Sequence, residues 1–179
     1  TSDAKPDLAL YIHWPFCRHK CPYCDFNSHV STAHDSNEFS EALCLEMSYM
    51  AEILPDRRAL KSIFFGGGTP SLMPPAVVGK IIAHAEKIFG FAPTIEVTAE
   101  ANPTSVEAKV MNEFSHAGVN RVSMGVQSLD REILKFLGRE HDVAEALSAL
   151  DTVRQSFDNL SIDLIYATVG QTKNDWQNT

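Results

Sequence analysis

Strand-like and helix-like segments alternate along the 179 residues, and this order constrains the fold more than any other feature. Apolar periodicity predicts strands at 8–13, 62–65, 94–100, 121–126 and 160–166. It predicts helices at 36–54, 74–89, 104–116, 130–137 and 142–157. Strands separated by helices pair in parallel through right-handed crossovers. The chain is therefore expected to be α/β, with either an open doubly wound sheet or a barrel.

Helix start signals support these boundaries. In each, an N-cap residue precedes a glutamate three positions later, as in a capping box. The pairs are Asp35 with Glu38, Thr104 with Glu107, and Asp142 with Glu145. Gly90 and Gly118 follow the second and third long helices as stop signals.

The predicted strands alternate apolar and polar side chains, which favours a barrel. A parallel sheet covered by helices on both faces has nearly continuous apolar strands. Here one face of each strand is polar, as expected around a polar lumen. The polar set is Tyr11, His13, Glu96, Thr98, Glu100, Arg121, Ser123, Gly125, Gln127, Ser161 and Asp163. We expect a partial (β/α) barrel of about five parallel strands with outer helices, and functional groups at the carboxyl ends of the strands.

Three cysteines follow the first predicted strand as Cys17-x3-Cys21-x2-Cys24. They supply three thiolates, one fewer than a closed four-ligand metal site needs. A site that lacks one protein ligand keeps an open coordination position, where chemistry can occur. This spacing favours an iron–sulfur cluster.

A structural zinc site is the alternative, and its fourth ligand would come from His13, His19, Asp25 or His29. Zinc sites usually pair their ligands at two separated places, and no second Cys/His pair follows here. The remaining cysteine, Cys44, lies in a helical pattern and is interpreted as a core thiol.

The second predicted strand runs into Gly66-Gly67-Gly68-Thr69-Pro70. Glycines at a strand end let the backbone approach a ligand and present its N–H and C=O groups. The segment is not a P-loop because no Gly-Lys-Ser/Thr follows. It is a candidate ligand-binding loop.

Composition narrows the class of protein. The chain is 44% hydrophobic with a net charge of −8, so it can form a core but lacks the basic excess of a nucleic-acid-binding surface. The sequence contains no apolar run long enough for a membrane span and no recognisable secretory signal. A cytoplasmic protein is predicted, since a reducing compartment suits free thiols.

The motifs together resemble the radical S-adenosylmethionine (SAM) family, in the branch that contains oxygen-independent coproporphyrinogen III oxidases and HemW-like heme chaperones. The resembling segments are Tyr-Ile-His-Trp-Pro-Phe-Cys at 11–17, Cys-Pro-Tyr-Cys-Asp-Phe-Asn-Ser-His at 21–29, Ile-Phe-Phe-Gly-Gly-Gly-Thr-Pro-Ser at 63–71, Glu-Ala-Asn-Pro at 100–103, Asn-Arg-Val-Ser-Met-Gly-Val-Gln-Ser at 120–128, Leu-Gly-Arg at 137–139 and Ile-Asp-Leu-Ile-Tyr at 162–166. They run in order along nearly the whole chain. Residues 1–179 are therefore interpreted as a radical SAM core.

The resemblance implies a [4Fe-4S] cluster on Cys17, Cys21 and Cys24, with SAM on the fourth iron. It implies SAM contacts at Tyr11, Tyr23 (through its backbone), Gly67, Gly68, Thr69, Glu100, Gln127, Arg139 and Asp163. A one-electron donor of the flavodoxin type would reduce the cluster, SAM would be cleaved to a 5′-deoxyadenosyl radical, and no catalytic side chain is assigned. The cofactor performs the hard step, while the protein positions it and excludes water.

One position separates the two branches. Coproporphyrinogen oxidases usually carry a fourth cysteine two residues after the third, and Phe26 stands there in this chain. The sequence is therefore interpreted as the core of a heme chaperone that binds heme in its full-length form. A coproporphyrinogen III oxidase and a zinc-stabilised binding module without redox chemistry are the alternatives.

The chain departs from the family pattern after the fifth predicted strand. The family usually reads Ile-Tyr-Gly-Leu-Pro-Gly-Gln-Thr, and residues 165–172 read Ile-Tyr-Ala-Thr-Val-Gly-Gln-Thr. Ala167 thus replaces a glycine, which changes the backbone conformations allowed there. The chain stops at Thr179, before a sixth strand and a C-terminal domain of the family, so we expect an incomplete barrel with weak or no activity by itself.

Overall fold

A computed structural model describes residues 6–31, 33–56, 58–177 and 179. In chain order the elements are β1 (Leu8–Trp14), β2 (Phe16–Cys17), β3 (His29–Val30), α1 (Ser36–Ile53), β4 (Leu60–Gly67), a 3-10 turn (Pro70–Leu72), α2 (Pro75–Phe89), β5 (Phe91–Ala101), α3 (Ser105–His116), β6 (Arg121–Gln127), α4 (Arg131–Phe136), α5 (Val143–Arg154), β7 (Asn159–Leu164) and α6 (Lys173–Gln177). The five predicted strands and five predicted helices all form, and their ends differ by a few residues.

Five strands form one parallel sheet in the order β1-β4-β5-β6-β7. This spatial order follows the chain and never reverses, whereas a doubly wound sheet reverses its strand order. The long helices contact one another in the same sequence, α1 with α2, α2 with α3, and α3 with α5. The prediction of a partial barrel with outer helices is confirmed.

The core lies between the sheet and these helices. Strand residues Ile63, Val97 and Val122 are almost fully buried and share one apolar cluster with Ile81 and Met111 of the helices. The predicted face alternation is therefore confirmed for Val97 of β5 and Val122 of β6. Burial of such side chains contributes about 1.5–3 kcal/mol each.

The last strand differs from its prediction. Alternation predicted that Ile162 packs under helices, but its side chain is 45% exposed. In the described part of the chain β7 pairs only with β6, so Ile162 has a neighbouring strand on one side. Leu160 and Leu164 of the same strand are half-buried against the core.

The predicted helix starts are confirmed by hydrogen bonds. Asp35 accepts from the Glu38 backbone N–H at 3.2 Å, and Asp142 accepts from that of Glu145 at 2.8 Å. Thr104 accepts from the Glu107 backbone N–H at 3.3 Å. Each cap satisfies a backbone donor that a helix leaves without an internal partner.

The third predicted strand starts earlier than expected. β5 begins at Phe91, which pairs with Leu60, although Pro93 follows. Proline has no backbone donor, and the register between Leu60 and Ser62 shifts at this point. The irregular pairing therefore accommodates the proline.

The helices are short or amphipathic. The longest in the described ranges is α1, with 18 residues, and it carries Glu38, Glu41 and Glu46. Within those ranges, no helix combines the length and apolar character needed to cross a bilayer. The cytoplasmic location and the domain limits stay predictions.

Candidate functional site

The cysteine loop is tied at both ends by two short strands that the sequence did not predict. β2 pairs in parallel with β3, joining Phe16 to His29 and Cys17 to Val30. The His29 N–H donates to the Pro15 carbonyl at 2.7 Å, and the Ser31 N–H donates to the Cys17 carbonyl at 3.3 Å. The segment between them, 18–28, is thus a closed loop that follows β1 and β2.

Hydrogen bonds inside this loop fix its shape. The Cys24 N–H donates to the Cys21 carbonyl at 3.0 Å, which makes a turn between two of the three cysteines. Lys20 Nζ donates to the Phe26 and Ser28 carbonyls, both at 3.3 Å. All three thiols are free, with Cys17 buried and the other two half-buried.

The glycine loop after β4 packs directly on the chain that leads into the cysteine loop. The Gly68 N–H donates to the Trp14 carbonyl at 2.6 Å, and the Thr69 N–H donates to the Phe16 carbonyl at 2.9 Å. A Cβ at Gly68 would lie 2.7 Å from the Phe16 carbonyl oxygen. Gly67 has φ +115°, a left-handed conformation that favours glycine. These positions require glycine for space and for conformation.

The polar face of the sheet carries a row of hydrogen-bonding side chains. Strand register aligns Glu100 with Ser123, and Ser123 with Ser161. The Ser123 hydroxyl donates to Asp163 Oδ2 at 3.1 Å, and the Gly67 N–H donates to Glu100 Oε2 at 3.3 Å. Two carboxyl groups therefore face the same side of the sheet near its carboxyl edge.

Arg139 connects this face to the cysteine loop. Its Nη1 donates to Cys21 Sγ at 3.3 Å and to the Tyr23 hydroxyl at 3.4 Å. Its Nη2 donates to Asn102 Oδ1 at 2.7 Å and to the Gly125 carbonyl at 2.9 Å. Among the described residues, its buried Nε has no hydrogen-bond partner. The guanidinium is thus fixed on one edge and has an unused donor.

Burial shifts the pKa values of several groups at the site. The pKa of the Glu100 carboxyl is raised by burial and by the nearby Asp163, against the lowering effect of the Gly67 N–H. Burial and Glu100 raise the pKa of Tyr11. Burial also raises the pKa of Tyr23 to about 12, although Arg139 opposes the shift. Perturbed groups of this kind concentrate at functional sites.

These groups line one cavity of about 420 Å³. Most of the predicted site residues reach it, namely Cys17, Cys21, Cys24, Tyr23, Gly68, Thr69, Glu100, Gln127, Arg139 and Asp163. Gly67 does not line the cavity, but its N–H donates to Glu100, which does. Tyr11 does not line the cavity; its side chain is 56% exposed and its hydroxyl lies 3.2 Å from His13 Nδ1.

Three residues that sequence reasoning did not assign to the site belong to it. Asn102 accepts a hydrogen bond from Arg139, and Ser123 donates one to Asp163. The third is the buried His141, whose Nε2 lies 3.1 Å from the Val126 carbonyl oxygen. Ser123 could have been found from strand alternation, and Asn102 from its place two residues after Glu100 in the same motif. Burial and the Arg139 cation lower the pKa of His141, and nothing in its local sequence indicates that environment.

The residues present fit an iron–sulfur cluster and SAM. Three free thiols without a paired second Cys/His knuckle suit a cluster that keeps one iron open. Glu100, Asp163 and the Arg139 cation line the same cavity, and they suit the ammonium, hydroxyl and carboxylate groups of SAM. Within the described ranges, no three His, Cys, Asp or Glu side chains gather as ligands of a single ion.

The zinc alternative loses one candidate ligand. His13 Nδ1 lies 3.2 Å from the Tyr11 hydroxyl, and its Nε2 lies 2.9 Å from the Asn27 carbonyl. Both ring nitrogens are therefore engaged in hydrogen bonds away from the thiols.

The loop after β7 contains the departure from the family pattern. Ala167 has φ +59°, in the left-handed region where a side chain is strained. Gly170 in the same loop has φ +81°. Alanine therefore occupies a position whose backbone conformation favours glycine.

Comparisons with known proteins agree with this geometry. The family model described as the radical SAM superfamily matches residues 11–179. Radical S-adenosyl methionine domain-containing protein 1, mitochondrial, of Danio rerio is 37% identical over 172 residues, covering 96% of this chain and 38% of that protein. The heme chaperone HemW of Haemophilus influenzae is 39% identical over 172 residues, covering 93% of this chain and 45% of that protein.

A solved structure extends the likeness to the fold. Coproporphyrinogen III oxidase (HemN) from Escherichia coli, described as a radical SAM enzyme, superposes with a TM-score of 0.83 and 30% identity. The match covers 97% of this chain and 40% of that one, so the chain spans about two fifths of the length of these relatives. The parallel sheet, the cysteine loop and the family match together establish that this chain belongs to the radical SAM superfamily.

Proposed function

We propose that the chain binds a [4Fe-4S] cluster through Cys17, Cys21 and Cys24, and SAM at the iron that the protein leaves open. The observation that carries this proposal is that the three thiols, Arg139 and the carboxyl groups opposite share one cavity. The cavity volume of about 420 Å³ lies within the usual range of small-molecule sites. Most of the predicted contacts line it.

Different residues bind different groups of SAM. Glu100 and Asp163 accept hydrogen bonds from its ammonium or ribose hydroxyl groups and complement its positive charge. The Arg139 guanidinium, which lines the same cavity, complements the negative charge of the SAM carboxylate. Gly68 and Thr69 bring the backbone close to the ligand without a side chain at Gly68 to obstruct it.

When bound and reduced, the cluster supplies one electron for cleavage of a C–S bond in SAM. Arg139 donates to Cys21 Sγ and so influences the charge on the ligand sulfur. The burial of Cys17 limits solvent access at one ligand. The protein therefore orients the reactants and excludes water, and no side-chain acid or base is assigned.

We propose further that the whole protein binds heme and delivers it to other proteins, as the name of its HemW relatives describes. Phe26, 58% exposed on the cysteine loop, supports this over the oxidase, since it stands where the oxidases usually place a cysteine. The HemN likeness favours the second candidate, a coproporphyrinogen III oxidase. In both, a reductant of the flavodoxin type serves as electron donor.

Anaerobic reconstitution tests the cofactor proposal. We expect a brown protein with about four irons per chain and matching sulfide, and SAM binding by calorimetry. Cys21→Ala serves as the paired sample and should lose iron and SAM binding together. One zinc per colourless chain, or SAM binding of equal strength in Cys21→Ala, would exclude the proposed site.

Heme titration of the full protein tests the delivery role. We expect a shifted Soret band with added heme and no decarboxylation of coproporphyrinogen III under reducing conditions with SAM. Steady decarboxylation would support the oxidase instead. If a protein that carries the cluster neither binds heme nor decarboxylates coproporphyrinogen III, both candidates are rejected.

A further inference from the structure

Glu107 is a buried carboxyl group that none of the proposed contacts with the cluster or SAM explains. It lies in the first turn of α3 and is 4% exposed. Acidic side chains are almost never this buried unless they are paired. Its partners therefore indicate its role.

The Glu107 carboxyl accepts hydrogen bonds from two neighbouring residues. Oε2 accepts from the Ser71 hydroxyl and, at 2.8 Å, from the Asn102 backbone N–H. Oε1 accepts from Asn102 Nδ2 at 3.3 Å. Glu107 thus holds both the backbone and the side-chain amide of Asn102.

These contacts determine which way the Asn102 amide points. Because Nδ2 faces Glu107, Oδ1 is left to accept from Arg139 Nη2 at 2.7 Å. The other terminal nitrogen of Arg139 then reaches Cys21 Sγ at 3.3 Å. Glu107, which does not contact Arg139, therefore determines that Asn102 presents an oxygen to the Arg139 guanidinium.

We propose that Glu107 is a positioning residue that, through Asn102, orients Arg139 on Cys21 and so tunes the cluster and the affinity for SAM. The inference rests on the proposed function, because Cys21 is a proposed cluster ligand. Hydrogen bonds to the sulfurs affect the reduction potential of iron–sulfur clusters. Residues behind the ligands typically change metal affinity or activity by about 10–100-fold.

Glu107→Gln is the sharpest test because it barely changes size. Its oxygen must still accept from the Asn102 N–H, so its NH₂ group faces Asn102 Nδ2, donor against donor. The Asn102 amide then turns over and presents NH₂ to Arg139, which breaks the 2.7 Å bond. We expect a more negative reduction potential and a SAM Kd about tenfold higher.

The double variant Glu107→Gln/Asn102→Asp reverses the polarity of the pair. The introduced amide donates to the introduced carboxylate, whose other oxygen accepts from Arg139. We expect most of the lost SAM affinity and of the shift in potential to be recovered. A merely structural role for Glu107 predicts no recovery, since two substitutions then add their damage.

Thr104→Ala is the matched control. It removes the 3.3 Å cap to the Glu107 N–H in the same turn, so the melting temperature should fall. It leaves the contacts of the Asn102 amide in place, so the reduction potential should stay at the wild-type value. Potentials are read by EPR-monitored redox titration of the reconstituted full protein.

A readout without the cluster separates this inference from the proposed function. In the apo-protein, ¹⁵N–¹H spectra should give distinct Arg139 guanidinium signals in wild type and Thr104→Ala, and averaged signals in Glu107→Gln. If wild type takes up no cluster, the proposed function fails and these spectra still decide the role of Glu107. Wild-type spectra and potential in Glu107→Gln, or no recovery in the double variant, overturn the inference.

Discussion

Arg139 donates a hydrogen bond from Nη1 to Cys21 Sγ at 3.3 Å, although 118 residues of sequence separate them. This contact links the segment after α4 to the cysteine loop after β1. The same guanidinium also donates a hydrogen bond from Nη2 to the Gly125 carbonyl of β6. One side chain therefore connects the site of the proposed cluster to the sheet.

Removal of any one of Cys17, Cys21 and Cys24 should abolish cluster binding. We expect reconstituted Cys→Ala variants to fall from about four irons per chain to below one, because three thiolates are the only protein ligands proposed. Cys44→Ala is the matched control, since this half-buried thiol lies on α1 and its pKa is raised by burial. Iron loss in Cys44→Ala equal to that of the others would contradict the assignment.

Gly68→Ala should lower both stability and SAM affinity. The new Cβ would lie 2.7 Å from the Phe16 carbonyl oxygen and 2.9 Å from that of Trp14. Both are backbone atoms of the segment that leads into the cysteine loop, so they cannot move aside as a flexible side chain could. We expect a loss of about 1–3 kcal/mol in the free energy of unfolding.

Gly79→Ala controls for the loss of glycine itself. Gly79 lies in α2, and a Cβ there would be 3.7 Å from its nearest neighbour, Ala117 Cβ, which is an ordinary contact distance. Helix propensity predicts a gain of about 0.5–1 kcal/mol. Chemical denaturation of both variants checks the pair, and equal effects would contradict the close-contact argument.

The sequence predicts the faces of the strands well because that information is local. Side chains in a strand alternate between faces, so Glu100, Gln127 and Asp163 could be assigned to the polar side before any contact was known. The structure brings them to one cavity. The Arg139 contacts could not be derived this way, because they depend on how separate elements pack.

Ala167→Gly should stabilise the chain slightly. The left-handed conformation at φ +59° strains alanine by about 1–2 kcal/mol, and the added flexibility of glycine offsets about 0.4–1 kcal/mol of the relief. We expect a net gain between zero and about 1.6 kcal/mol by urea denaturation. Ala83→Gly, on the exposed side of α2, should instead lose about 1 kcal/mol.

Glu100→Gln should stabilise the apo-protein at neutral pH while weakening SAM binding. Burial and Asp163 raise the pKa of Glu100 above the usual value of 4.5, so the folded state binds the proton more tightly than the unfolded chain. Its ionised form therefore opposes folding above the folded pKa, and this penalty disappears as the pH falls toward 4.5.

Melting temperatures from pH 4.5 to 8 check this linkage. The variant should melt higher than wild type at pH 8, and the difference should close at the acid end. A variant that melts lower at every pH would show that the bond from the Gly67 N–H outweighs the buried charge. Functional groups that reduce stability in this way are common at binding sites.

Other parts of the structure could not be predicted from sequence patterns. β2 and β3 have two residues each, too short for any periodicity to be detected. Ile162 is exposed on a strand that, in the described part of the chain, pairs only with β6, and alternation within the strand does not encode this. Pairing partners and sheet edges depend on the whole chain, and local patterns therefore predict elements better than their surroundings.

Gly138 has φ +65°, and a Cβ there would lie 2.8 Å from Cδ of Pro22, between two of the cysteines. Arg139 follows it directly. A larger residue at 138 would push the cysteine loop outward and carry the neighbouring guanidinium away with it. Binding of the proposed cluster and placement of Arg139 thus both depend on the small size of Gly138. A larger residue there is expected to reduce iron binding as much as the loss of one cysteine, even though all three thiols remain.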